Sequence, residues 1–160
     1  MSDIETLRRI LATSKTIAVV GLSADWYRPS YFAAKYIQEH GYRIVPVNPK
    51  YPEILGETCY ASLNEAAAGC GAKIDIVDCF RKSLDIEPLA KDAIAIGASC
   101  LWQQLGVVNL QADALVRAAG LDSITDRCVK IEHGRLFGGL GWVGVNTGVI
   151  SAKRPRHLPY

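Results

Sequence analysis

The stretch 16–49, TIAVVGLSADWYRPSYFAAKYIQEHGYRIVPVNP, narrows the choice of architectures more than any other part of the chain. It reads as a short apolar strand, a loop opening on Gly21, a helix closed by Gly41 and a second apolar strand. The first strand is rich in β-branched residues with no polar alternation, the pattern of a strand buried on both faces of a parallel sheet. Strand, glycine loop, helix, strand is the first half of a nucleotide-binding α/β unit. Two features depart from the dinucleotide fingerprint. Only Gly21 stands where that fingerprint has three glycines, and the second strand ends in Asn48-Pro49 rather than in a carboxylate that would hold a ribose 2′-hydroxyl. Both count against NAD and favour another phosphate-bearing ligand.

The same alternation continues downstream. An amphipathic helix opens the chain, with Ser2-Asp3-Ile4-Glu5 as a capping box and Ile4, Leu7, Ile10 and Leu11 on one face. Further strands are expected over 74–80, 100–105 and 123–126. Helices are expected over 30–40, from the capping box at Ser62, and over 86–96 and 110–119. The order predicts an α/β fold: a doubly wound, mostly parallel five-stranded sheet with helices on both faces and right-handed crossovers. The pattern fails after 136, so 1–136 is expected to be the domain and 137–160 a glycine-rich, basic tail.

Composition limits the function. The chain has 160 residues, 49% of them hydrophobic, which fits one soluble domain with a substantial core. A formal charge of +2, with Lys153, Arg154 and Arg156 clustered in the tail, is too small to imply nucleic acid. No apolar run approaches the ~20 residues of a membrane span, and Asp3, Glu5, Arg8 and Arg9 interrupt any secretory signal. Five dispersed cysteines without a CxxC pair point to reduced thiols in the cytoplasm rather than to disulfides or a metal site.

Ligands of open parallel sheets bind beyond the carboxyl ends of the strands. Those ends read Gly21-Leu22-Ser23, Asn48-Pro49-Lys50, Phe80-Arg81, Gln103-Gln104 and Asp126-Arg127-Cys128, a set rich in donors and guanidinium groups and poor in carboxylates. It suits an anion better than proton-transfer chemistry. Gly21 admits close backbone approach, and the helix start at Ser30 offers free N–H groups and a favourable dipole. Arg28 lies between them, placed to fork onto a phosphate; the alternative is a solvated loop arginine. Arg81 is expected over the crevice, or paired with a helix carboxylate such as Asp85. Trp102 is expected in the core, on the same strand face as Gln104. Cys128, Lys130, Glu132 and His133 form a polar cluster, read as a buried thiol beside a surface histidine. The alternative is a reactive Cys128 whose thiol is lowered by neighbouring cations and meets a ligand thiol.

Five segments carry a more specific likeness: VGLSADWYRPS at 20–30, GYRIVPVNPKYPEILGETCYASL at 41–63, IDIVDCFR at 74–81, GASCLWQQLGVVN at 97–109 and AGLDSITDRCVKIEHGRL at 119–136. In these the chain resembles the small stand-alone CoA-binding proteins of the Rossmann type. Those proteins are related to the CoA-binding domain of NDP-forming acyl-CoA synthetases and of the succinyl-CoA synthetase α subunit. The resemblance implies coenzyme A, or an acyl-CoA, held over the strand ends. Gly21, Ser23, Arg28 and Ser30 would meet the phosphates. Asn48, Pro49 and Lys50 would border the adenosine, with Arg81 and Gln104 closing the other side. It implies a carrier, sensor or partner module and supplies no catalytic residue, since chemistry does not transfer with a fold. Two alternatives stand beside it: an enzyme using a nucleotide cofactor, and an oligomeric interaction protein with a vestigial pocket. A homo-oligomer or a protein partner is compatible with each.

Overall fold

The computed structural model describes residues 4–138; Ser2 and Asp3 of the expected capping box and residues 139–160 of the expected tail lie outside the described residues. The elements run α1 (Ile4–Thr13), β1 (Thr16–Val20), α2 (Pro29–Glu39), β2 (Arg43–Val47), β3 (Glu53–Ile54), β4 (Glu57–Thr58), α3 (Leu63–Gly69), β5 (Ile76–Cys79), α4 (Ile86–Ala95), β6 (Cys100–Gln103), α5 (Leu110–Ala118), β7 (Asp122–Ile124) and α6 (Val129–Leu136). Five strands form one sheet in the order β2-β1-β5-β6-β7, every pairing parallel. This is a Rossmann-like α/β fold.

The period of two in β1 divides the core. Ala18 and Val20 join Val45, Val77 and Leu101 beneath α3, α4 and α5. Ile17 and Val19 join Ile44, Ile76, Cys100 and Trp102 beneath α1, α2 and α6. Burial on both faces explains why the strands read as apolar runs. Trp102 is fully buried, and its indole N–H donates to the Arg127 carbonyl at 2.8 Å. Ser62 caps α3 by accepting from the Glu65 N–H at 3.2 Å, as its capping box predicts. Gly41, at φ +94°, turns the chain out of α2 toward β2. Pro46 is tolerated inside β2 because that strand lies at the sheet edge, where its carbonyl accepts from the Tyr60 N–H at 3.0 Å.

The expected strands at 74–80, 100–105 and 123–126 are shorter in the structure. Asp75 does not belong to its strand: its carboxylate accepts from the N–H groups of Lys15 and Thr16 at 2.9 and 3.1 Å, fastening the entry to β1. Two elements differ from the sequence expectation outright. The loop after β2 holds the β3–β4 hairpin, turned by Leu55 and Gly56 at φ +54° and +76°. Such turns favour Asn-Gly or Asp-Gly, so a leucine there conceals the hairpin. The polar segment after β7 is the helix α6, and His133 is buried in it rather than on the surface. Glu132 and Arg135 are also buried, paired with each other, and Glu132 also accepts from Arg127 at 3.2 Å. A helix whose inward face carries a Glu–Arg pair shows no apolar period, and that hides it from sequence reading.

Among the described residues, no helix is long and apolar enough to cross a membrane, and all five cysteines are unpaired.

Candidate functional site

The chain winds from β1 outward to β2 and then returns to place β5 on the other side of β1. The β1/β5 junction is therefore the topological switch point, where the loops leaving the two strands diverge and a crevice opens. A cavity of about 850 Å³ occupies this place. Its walls are the loop after β1 with the start of α2, the end of β2, the segments following β5 and β6, and the first turn of α6.

Gly21 sits at the centre of the floor with φ +84°. A Cβ there would stand 2.2 Å from the Phe80 carbonyl oxygen and 3.1 Å from Arg81 Cδ. The glycine is thus required by the crowding of two diverging strand ends, a different reason from the ligand approach expected from sequence. Ser30, almost fully buried, accepts the Ser23 N–H at 3.1 Å, and Ser23 Oγ accepts the Asp25 N–H at 3.1 Å. These two hydroxyls fold the 21–29 loop against the start of α2. That helix has Pro29 in its first turn and no side-chain cap, which leaves its positive end available to an anion.

Asn48 ties the neighbouring loops together. Its Nδ2 donates to the Leu22 carbonyl at 3.0 Å and its Oδ1 accepts from the Lys50 N–H at 2.9 Å. Both ends of the amide are used, so Asn48 shapes the wall. Lys50 and Tyr51 line the cavity beside it, whereas Pro49 is exposed and outside the lining.

Four cations line the cavity, Arg28, Lys50, Arg81 and Lys82, against one carboxylate, Asp25. Arg28 is largely exposed and 3.9 Å from Asp25, a solvated contact that leaves its guanidinium free to turn. Arg81 is exposed, and among the described residues it makes no ion pair with Asp85 or any other carboxylate.

Gln104, Leu105, Val107, Cys128 and Ile131 add uncharged surface to the lining. Gln104 is buried, and its Nε2 donates at 2.5 Å to Asp78, a wholly buried carboxyl on β5. Burial pushes the Asp78 acid up to about 8, and the Gln104 hydrogen bond opposes that rise. Sequence reading missed this group; the one available signal was a lone aspartate inside the apolar run IDIVDCF.

Cys128 precedes α6 and lines the cavity. Its thiol is pushed up, not down as the neighbouring cations suggested: burial outweighs the Lys130 and Ile131 N–H groups that favour the thiolate. Gly21, Ser23, Arg28, Ser30, Asn48, Lys50, Arg81 and Gln104 are thus brought together around one cavity, and Pro49 is not.

The description "CoA binding domain" belongs to a family model that matches residues 15–134. The chain is 39% identical to the uncharacterized protein YneT of Bacillus subtilis over 127 residues, 79% of this chain and 91% of that one. A hypothetical protein from Pyrococcus horikoshii superposes with a TM-score of 0.80 at 39% identity, covering 86% of this chain and 94% of that one. A shorter match, 33% identical over 55 residues, reaches the acetate–CoA ligase [ADP-forming] of Methanocaldococcus jannaschii, covering 34% of this chain and 8% of the ligase. By its sequence and its fold, the chain belongs to the CoA-binding domain family.

Proposed function

We propose that the chain binds coenzyme A or an acyl-CoA across the carboxyl ends of its strands and serves as a cytoplasmic carrier, sensor or partner module. The observation that carries this reading is that one cavity is lined both by four cations and by a set of uncharged residues. Coenzyme A calls for both, being a phosphate-rich nucleotide joined to a neutral pantetheine arm. Arg28 and the start of α2 suit the pyrophosphate, because a guanidinium forks onto two oxygens and a helix start presents N–H groups. Lys50 and Tyr51 at the end of β2 suit the adenosine side. Arg81 and Lys82 bound the crevice opposite, and Gln104 belongs to the uncharged lining. NAD fits less well, because Asn48 spends its amide on Leu22 and Lys50 and no carboxylate ends β2.

Calorimetric titration with CoA, NAD and ATP at matched ionic strength tests the reading. CoA is expected to bind most tightly, and equal or tighter binding of NAD would overturn it. Native mass spectrometry of the purified protein, read for the added mass of CoA, provides an independent check.

A further inference from the structure

The uncharged lining of the cavity continues onto the surface as an apolar shelf. Leu105 and Val107 line the cavity itself. Beyond them the segment 105–110 reads LGVVNL, without a charged residue. Leu105 is 54% exposed, Val108 44% and Leu110 68%, and Leu84 is 90% exposed on the adjoining turn. That turn is held against the segment: the Val108 N–H donates to Ser83 Oγ at 3.0 Å, and Asn109 Nδ2 donates to the Ser83 carbonyl at 2.8 Å. Single exposed aliphatics need no explanation, but four on two latched segments, one of them lining the cavity, mark a surface suited to something apolar.

Gln104, which lines the cavity next to Leu105, is 4% exposed. Its Nε2 is taken by Asp78, while its Oε1 has no partner among the described residues. The lining therefore carries cations, a free amide acceptor and the first residue of an aliphatic shelf, the three kinds of surface that the phosphates, pantetheine amides and acyl chain of a coenzyme A thioester would each require.

Resting on the reading of the cavity as a CoA site, we propose that it takes acyl-CoA thioesters with an aliphatic acyl chain, which lies along Leu84, Leu105, Val108 and Leu110. A second protein would also cover apolar surface, but the continuity of the shelf with the cavity wall favours an occupant that emerges from the cavity.

The test is a calorimetric series on the full chain with free CoA and acetyl-, butanoyl-, hexanoyl- and octanoyl-CoA, with succinyl-CoA as a charged-acyl control. A fully buried methylene strengthens binding about fourfold, so roughly twofold per methylene is expected on an open shelf. Octanoyl-CoA should then bind on the order of tenfold more tightly than butanoyl-CoA, and succinyl-CoA should show no such gain. The Leu105→Ser/Val108→Ser double variant should lower the ratio of octanoyl-CoA to free CoA affinity. Measurable CoA binding with no dependence on chain length would overturn the acyl proposal and leave the CoA reading standing. A chain-length gain that survives in the double variant would overturn the assignment to the shelf. Absence of binding by every CoA species would refute the CoA reading and this inference with it. Sedimentation of the ligand-free protein covers the remaining occupant: a dimer abolished by the same double variant would give the shelf to a second copy and overturn the proposal.

Discussion

Replacing Asp78 with asparagine should make the protein more stable above neutral pH. Asp78 is wholly buried, and its acid is raised to about 8 from an ordinary 3.8. The folded protein therefore keeps a proton that the unfolded chain releases, and stability falls as pH rises between those two values. The protonated acid's full contribution is present below about pH 4 and is gone above about pH 8. Each pKa unit corresponds to 1.36 kcal/mol, so the whole window is worth about 5–6 kcal/mol, and the interval from pH 5 to pH 8 about 4 kcal/mol. Asparagine is neutral throughout, and its Oδ1 can still accept from Gln104 Nε2. The assay is urea unfolding of wild type and Asp78→Asn at several pH values from 5 to 8. Other titrating groups, including His133, whose burial and neighbouring His40 lower it, cancel in the difference. With asparagine matching the protonated acid, the variant should be ahead by about 1–2 kcal/mol at pH 5 and by about 5 kcal/mol at pH 8, a widening of about 4 kcal/mol. Parallel pH profiles would refute the reasoning, because they would mean that Asp78 carries no shifted proton.

The cations of the lining make a second prediction. Arg28→Ala or Arg81→Ala should weaken CoA binding about 10- to 150-fold, the equivalent of charge-assisted hydrogen bonds worth about 1.5–3 kcal/mol each. Lysine at either position should restore only part of that, because the planar fork is lost. Calorimetry reads both, with circular dichroism confirming the fold, and full affinity in the two alanine variants would remove these residues from the site. For Cys128, whose thiol burial raises, alkylation should be slow at neutral pH, quicken as pH rises, and be blocked by bound CoA while Cys59, away from the cavity lining, stays open to reagent. Peptide mass spectrometry after timed labelling reads this, and unprotected modification of Cys128 in the presence of saturating CoA would place it outside the ligand's reach.

The fold was legible wherever local preference and tertiary role coincide. β1 is buried at every position and apolar from Ile17 to Val20 because both sheet faces are covered, and Ser62 announces α3 because the cap it predicts is the one it makes. The expected site residues that cluster did so through topology: a doubly wound sheet gathers the ends of consecutive strands at one edge, so Gly21, Asn48, Arg81 and Gln104 could be grouped without coordinates. What escaped has a shared physical cause. Leu55 occupies a backbone conformation that leucine disfavours, and α6 buries a Glu–Arg pair where an apolar stripe would normally lie. In each case a tertiary interaction overrides the local signal. For Cys128 the reading as a buried thiol agrees with the burial that raises it, and the alternative of a cation-lowered thiol does not.

Asp78 is the sharpest of these conflicts, and its position gives it meaning. A leucine or valine in that row of β5 would pack between Val19 and Trp102 without any titrating group. The carboxyl is instead kept, at a cost in stability that grows with pH, and its side-chain partner is Gln104, which lines the cavity. Local rules broken without a packing gain cluster at functional sites. Holding Gln104 by its Nε2 leaves its Oε1 to the cavity, and a carboxyl raised to about 8 does so largely uncharged at neutral pH. On the CoA reading, a protonated Asp78 would hold Gln104 in place without adding a negative charge to the cations of the crevice, which neither an ionised carboxylate nor an aliphatic residue would do.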